Sequence, residues 1–169
     1  KGKIDKRYWL EKLNCDPAKE TIVWLPTKGE LSSIKTYSPV IAKLIDQYNI
    51  VVKPHPLSIT EDEQDIDLLK HQNFNKIIDD FIDNTYLFYV ADYIFSDYGG
   101  TAFGAIYTDR KLLLLNLPEP EQDELVGVDS ADIALRQTII NINPEDGEEL
   151  PVILADTKIW EAQKQTRSH

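Results

Sequence analysis

The feature that most narrows the fold is a set of short, continuously apolar segments separated by stretches with helical spacing. Thr21-Ile-Val-Trp-Leu25 is β-branched and aromatic along most of its length and is closed by Pro26. A run without polar alternation reads as a strand buried on both faces, the signature of a parallel sheet. Ile50-Val-Val-Lys53, Lys76-Ile-Ile78, Tyr93-Ile-Phe95 and Leu112 to Leu115 repeat the pattern. Between them, Ser38-Pro39 reads as a helix start followed by Val40, Ile41, Leu44, Ile45 and Tyr48 on one face. Thr60 with Glu63 reads as a capping box opening a helix that carries Ile66, Leu69 and Lys70. Asn84 to Ala91 and Thr101 to Tyr107 have helical spacing, as do Ile4, Tyr8, Trp9 and Leu13 ahead of the first strand. Past Pro118 the pattern weakens: Ile133 to Ile142 reads as helix or as helix plus strand, and Trp160 is assigned to a closing helix. Such alternation predicts an α/β domain of three layers, a parallel sheet covered on both sides by helices through right-handed crossovers.

The 169 residues, 42% of them apolar, suit a single domain over residues 1–169. The net charge of −11 opposes nonspecific nucleic-acid binding, whose affinity comes mostly from neutralising phosphates, so an anionic ligand must be held by local contacts. Apolar runs such as Leu112 to Leu115 fall far short of the roughly 20 residues that span a bilayer, and no signal-peptide pattern opens the chain. The single cysteine, Cys15, rules out an internal disulfide framework and a Cys-cluster zinc site; it fits a reducing cytoplasm and reads as an inert residue in a loop. The chain has no methionine and is therefore expected to be part of something longer. Its most acidic stretch, Glu61 to Asp67, is expected as a solvated helix start.

In open parallel sheets, ligands collect outside the carboxyl ends of the strands, where strand order reverses. Three strand ends carry unusual residues: Pro26-Thr27-Lys28, Lys53-Pro54-His55-Pro56 and Ser96-Asp97-Tyr98-Gly99-Gly100-Thr101. The last places two residues without side chains ahead of a helix, where unpaired amides and the helix dipole favour phosphate; the plain alternative is a tight turn with Asp97 or Thr101 as a cap. It is neither a Walker loop nor the dinucleotide fingerprint. In the second corner, prolines fix the backbone on both sides of a histidine beside a lysine, a rigid pair of donors suited to a diphosphate. Asp92 and Asp97 flank the fourth strand five positions apart, which excludes them as a joint acid/base pair. No nucleophile elbow and no metal-ligand spacing appears; His71 and His169 read as surface residues. Trp24, Tyr37 and Tyr98 could stack on a base, although aromatic residues near strands are more often core.

Thr21-Ile-Val-Trp-Leu-Pro-Thr27, Val51-Val-Lys-Pro-His-Pro56, Ala91-Asp-Tyr-Ile-Phe-Ser-Asp-Tyr-Gly-Gly-Thr101 and Arg110-Lys-Leu-Leu-Leu-Leu115 together resemble the C-terminal domain of CDP-glycerol glycerophosphotransferases, the teichoic-acid primases and polymerases. The resemblance runs from about Tyr8 to Pro118. A His-Pro corner followed by an acidic-Ser/Gly loop is shared with UDP-N-acetylglucosamine 2-epimerases, which use the same GT-B architecture of two Rossmann-like halves. The chain departs from the transferase pattern in having Gly99-Gly100 for a serine pair and Lys28-Gly29 for Trp-Arg after Pro-Thr; it departs from the epimerase pattern in having Ala102 and Phe103 where acidic residues meet the ribose.

The resemblance implies one Rossmann-like half of a GT-B enzyme. It would bind a nucleotide-diphosphate donor opposite an N-terminal acceptor half that lies outside this chain. His55 is then the catalytic residue, contacting the donor diphosphate. Thr27, Lys53, Ser96, Asp97, Tyr98, Gly99, Gly100 and Thr101 complete the substrate-binding set. The implied reaction is attack by an acceptor hydroxyl of a cell-surface polymer on the glycerol-bearing phosphorus, with CMP leaving and with no cofactor or metal in the scheme. It also implies a cytoplasmic location, with contact at the inner face of the membrane supplied from outside this segment. The alternatives are a UDP-sugar 2-epimerase or glycosyltransferase half, and a Rossmann-like assembly domain without catalysis.

Overall fold

A computed structural model describes residues 5–120, 123–124 and 126–167; Ile4 and His169 lie outside the described residues. In chain order the elements are α1 (Lys6–Lys12), β1 (Thr21–Leu25), α2 (Ile34–Ile41), β2 (Asn49–Val52), α3 (Pro56–Glu61), α4 (Glu63–Lys70), β3 (Lys76–Ile77), α5 (Asn84–Val90), β4 (Tyr93–Ser96), α6 (Thr101–Tyr107), β5 (Lys111–Leu115), α7 (Ala131–Leu135), β6 (Asn141–Ile142), α8 (Leu150–Ala155) and α9 (Thr157–Arg167). Six strands form one sheet in the order β3-β2-β1-β4-β5-β6, and every pairing is parallel. The order reverses between β1 and β4, which pair from Ile22↔Tyr93 to Leu25↔Ser96. A ligand crevice is therefore expected beyond Leu25 and Ser96.

The strands alternate their side chains between two cores, as the period of two demands. Ile22, Trp24, Ile50, Val52, Phe95, Leu113 and Leu115 face Ile34 and Ile41 of α2, Leu69 of α4, Leu154 of α8 and Trp160 of α9. Val23, Leu25, Val51, Ile94, Leu112 and Leu114 face Leu10 of α1, Leu87 and Val90 of α5 and Ala102 and Ala105 of α6. Burying each of these aliphatic side chains contributes about 1.5–3 kcal/mol, which is why the strands can dispense with polar faces. No helix among the described residues is long and apolar enough to cross a membrane.

Three expectations change. The first crossover helix begins at Ile34, so Pro39 lies inside it and the chain tightens into a 3-10 turn at Ala42–Leu44. Its start is set from afar, because the amide and hydroxyl of Ser33 both bond Asp97. Thr60 does not open α4: it sits within α3, its hydroxyl on the Leu57 carbonyl, and Asp62 precedes α4 without a side-chain cap. Pro56 is what starts this region, as the first-turn residue of α3 with His55 as its N-cap. Most of Glu61 to Asp67 is exposed or half-exposed as expected, but Asp65 and Ile66 are buried. Past Pro118 the helix-plus-strand reading holds, with α7 followed by β6 as a sixth strand. Cys15 is buried, and burial pushes its thiol up to about 12, so it is inert.

Candidate functional site

The three corners meet. Thr27, Lys53, His55, Tyr98, Gly99, Gly100 and Thr101 line one cleft of about 500 Å³ at the carboxyl ends of β1, β2 and β4. Asn84 and Phe88 of α5 and Gly104 of α6 close its far wall. Ser96 and Asp97 do not line it; both are fully buried beneath its floor.

Asp97 organises the crevice. Its carboxylate accepts the Thr27 amide at 3.0 and 3.1 Å, the Ser33 amide at 2.9 Å, the Ser33 hydroxyl at 2.7 Å and the Tyr98 amide at 2.7 Å. It therefore ties the β4 corner to the loop after β1 across the point where strand order reverses. Burial pushes its carboxyl up to about 6, and the donors of Ser33, Thr27 and Tyr98 pull the other way. The Trp24 indole N–H donates to the same Ser33 hydroxyl oxygen at 3.0 Å, so Trp24 belongs to the core side of this clasp.

His55 caps α3: its Nδ1 accepts the Leu57 amide at 3.2 Å. That bond assigns the neutral tautomer with its proton on Nε2, which leaves an imidazole N–H as the ring group available to a ligand. Lys53 is held by the Ile82 carbonyl at 2.5 Å and by Asn84 Oδ1 at 2.7 Å. Burial lowers its pKa while Asp83 and Asp80 oppose the shift. An ammonium has three donors, so one remains beyond these two bonds.

The glycine loop combines strain with space. Gly99 has φ of +109°, a backbone that a side chain would strain, and Gly100 has ordinary helical angles with open space where a Cβ would stand. The first intrahelical bond of α6 runs from the Gly104 amide to the Gly100 carbonyl, so the amides of Thr101, Ala102 and Phe103 have no helical acceptor. The Gly99 amide is taken by Asp132 Oδ1 at 2.9 Å, and the Thr101 hydroxyl bonds Ser96 Oγ at 2.9 Å. A Cβ at Gly104 would stand 3.0 Å from the Phe88 ring, so a side chain there would have to push that ring aside.

Of the aromatic residues, Trp24 and Tyr37 are core, and Tyr98 stands buried in the cleft wall. Tyr37 donates its hydroxyl to the Asn116 and Ile142 carbonyls, and the Tyr98 hydroxyl accepts the Leu117 amide. The Tyr98 ring is covered by the Arg136 guanidinium at 3.9 Å. Arg136 was not legible in the sequence, although it braces the site from below by donating to the Asp97 carbonyl, the Asp132 carbonyl and Asn116 Oδ1. Its partners lie 39, 4 and 20 positions away, and only the Asp132–Arg136 spacing of four is a local signal. Asn84 follows Asp83, the cap of α5, and that capping signal could have drawn attention to it. Asp92 lies at the opposite end of β4 from Asp97 and bonds the Thr21 amide, in keeping with the separation expected of these two carboxylates. His71 is exposed and bonds the Asp67 carbonyl, as a surface residue. Among the described residues no group of three or more His, Cys, Asp or Glu is placed to hold a metal.

No protein-family model matches the chain, and no curated protein matches it. Solved structures do. The wall teichoic acid polymerase TagF superposes with a TM-score of 0.68 at 18% identity over 96% of this chain and 41% of that one. Anabaena HepE in complex with UDP-glucose gives 0.64 at 13% identity over 99% and 49%, and a UDP-N-acetylglucosamine 2-epimerase gives 0.61 at 11% over 97% and 41%. The chain thus spans less than half the length of each of these structures. With its six-stranded parallel sheet, the chain has the fold of one Rossmann-like half of a GT-B enzyme.

Proposed function

We propose that this chain is the donor-binding half of a GT-B transferase that moves glycerol phosphate, or another polyol phosphate, from a CDP-activated donor to a cell-surface polymer. The observation that carries the reading is the convergence of His55, Thr27 and the Gly99-Gly100 loop on one cleft at the reversal of strand order. A diphosphate needs several donors and little side-chain volume. The His55 imidazole N–H, the third hydrogen of Lys53 and the amides of the first turn of α6 supply the first; Gly100 supplies the second. The acceptor hydroxyl forms a bond to the glycerol-bearing phosphorus and loses its proton to solvent, while the bond from that phosphorus to the oxygen of CMP breaks. His55 and the amides stabilise the charge that gathers on the departing phosphate, the kind of preorganised donation that is often the largest catalytic contribution. The acceptor site belongs to a second half, outside this chain, together with any contact at the inner face of the membrane. TagF, among the similar structures, has been soaked with CDPG.

A second reading has an observation of its own. Gly99-Gly100 is closer to the epimerase loop, and HepE was solved with UDP-glucose. A thermal-shift panel separates the two: stabilisation by CDP-glycerol and CMP supports the polyol-phosphate donor, and stabilisation by UDP-sugars alone overturns it. His55→Asn keeps a good helix cap and removes the imidazole donor. In the protein containing both halves it is expected to abolish turnover with the melting temperature unchanged, whereas retained turnover favours a non-catalytic assembly domain.

A further inference from the structure

A second cavity of about 320 Å³ opens on the same carboxyl edge, on the other side of the Thr27–Asp97 clasp from the cleft. Glu30 and Ser32 of the loop after β1, Lys35 of α2, Asp62 and Asp65 around the start of α4, and Leu117 after β5 stand in its wall. Asp65 also lines an adjoining hollow with Glu61 and Glu63, so it stands where the two spaces meet.

Asp65 is the unusual group. It is only 4% exposed, and its Oδ1 has no hydrogen-bond partner. The nearest cation, Lys35 Nζ, stands 3.7 Å from it, too far for a hydrogen bond, and that lysine side chain is 70% exposed. A buried carboxylate oxygen left in this state is costly unless something completes it. Burial raises the Asp65 pKa; the Lys35 ammonium pulls it down, and Asp62 and Glu30 add to the rise.

The surroundings define what would complete it. Glu30, Asp62 and Asp65 outnumber Lys35, which excludes an anion. Among the described residues no His, Cys, Asp or Glu group is placed as a metal-ligand set. Leu117 and Pro118 offer an apolar strip beside the carboxylates, the pairing that accommodates the stem and head of a basic side chain or an aliphatic amine. We propose that this cavity binds an organic cation, a primary ammonium or guanidinium on an aliphatic stem, with Asp65 as its carboxylate partner.

The test is an NMR titration of the chain with agmatine and, separately, with a short capped peptide containing one arginine. Saturable shifts at the amides of Ser32, Thr36 and Asp65 are expected; a response to both probes marks a site open to free amines, and a response to the peptide alone marks a site for a basic protein segment. Asp65→Asn is expected to weaken binding about tenfold or more. Lys35→Gln removes the competing ammonium and is expected to tighten it by about threefold. Glu11→Gln, on α1 in the other helical layer, is expected to change nothing. Absence of saturable shifts with either probe, or equal losses in Asp65→Asn and Glu11→Gln, overturns the proposal. Should Asp65→Asn fail to fold, Lys35→Gln decides alone, because unchanged or weaker binding there contradicts a site centred on Asp65.

Discussion

The two edges of the sheet use their polar side chains in opposite ways. At the amino edge, Asn49 bonds the Asp16 amide and carbonyl at 2.9 and 2.8 Å and the Thr21 hydroxyl at 3.1 Å. Asn75 accepts the Ile50 amide at 2.8 Å and Asp92 accepts the Thr21 amide at 2.8 Å. These amides and carboxylates are spent on backbone, and they hold strand ends and loops together. At the carboxyl edge a single buried carboxylate, Asp97, does the same for the loops after β1 and β4. Above it His55, Gly99, Gly100 and Thr101 line a cleft.

The largest test of that contrast is Asp97→Ala. Stranding the Thr27, Ser33 and Tyr98 donors is expected to cost about 4 kcal/mol in urea unfolding and to abolish nucleotide binding; a loss below about 1 kcal/mol contradicts the clasp.

Next comes pH. The Asp97 carboxyl sits at about 6 in the folded chain against 3.8 unfolded, so its contribution favours the folded state fully below about pH 4 and is lost as pH rises through 6. The change is about 3 kcal/mol, and Asp97→Asn is expected to flatten that part of the stability profile.

Asn49→Ala breaks the amino edge alone, with an expected loss of about 2 kcal/mol and no change in nucleotide affinity. Altered affinity there contradicts the division of labour between the edges.

The smallest and sharpest test compares two adjacent glycines. Gly99→Ala is expected to cost about 1–2 kcal/mol of stability because of its positive φ. Gly100→Ala is expected to leave unfolding nearly unchanged and to weaken nucleotide binding, since its Cβ enters open space in the cleft wall. The reverse pattern would remove the phosphate from the Gly100 side of the loop.

The layered fold was legible because the four central strands, β2, β1, β4 and β5, are short, mostly apolar and buried runs, and boundaries such as Thr21–Leu25 and Thr101–Tyr107 follow from local composition. The corners holding His55 and the glycine pair were legible for a related reason: prolines and glycines mark backbone turns wherever they occur. What escaped is held by distant partners. The start of α2 at Ile34 depends on Ser33 reaching Asp97, 64 positions away, and Arg136 reaches the Asp97 carbonyl across 39. Asp97 itself was expected in contact with the ligand, and the structure instead buries it completely among donors beneath the cleft, a placement that depends on partners up to 70 positions away.

The most direct measurement is a crystal structure of the chain soaked with CDP. The account predicts the diphosphate between the His55 Nε2 and the amides that follow Gly100, at the carboxyl ends of β1 and β4. A nucleotide seated instead in the hollow lined by Lys111, Trp160 and Lys164, at the amino end of β5, would contradict it.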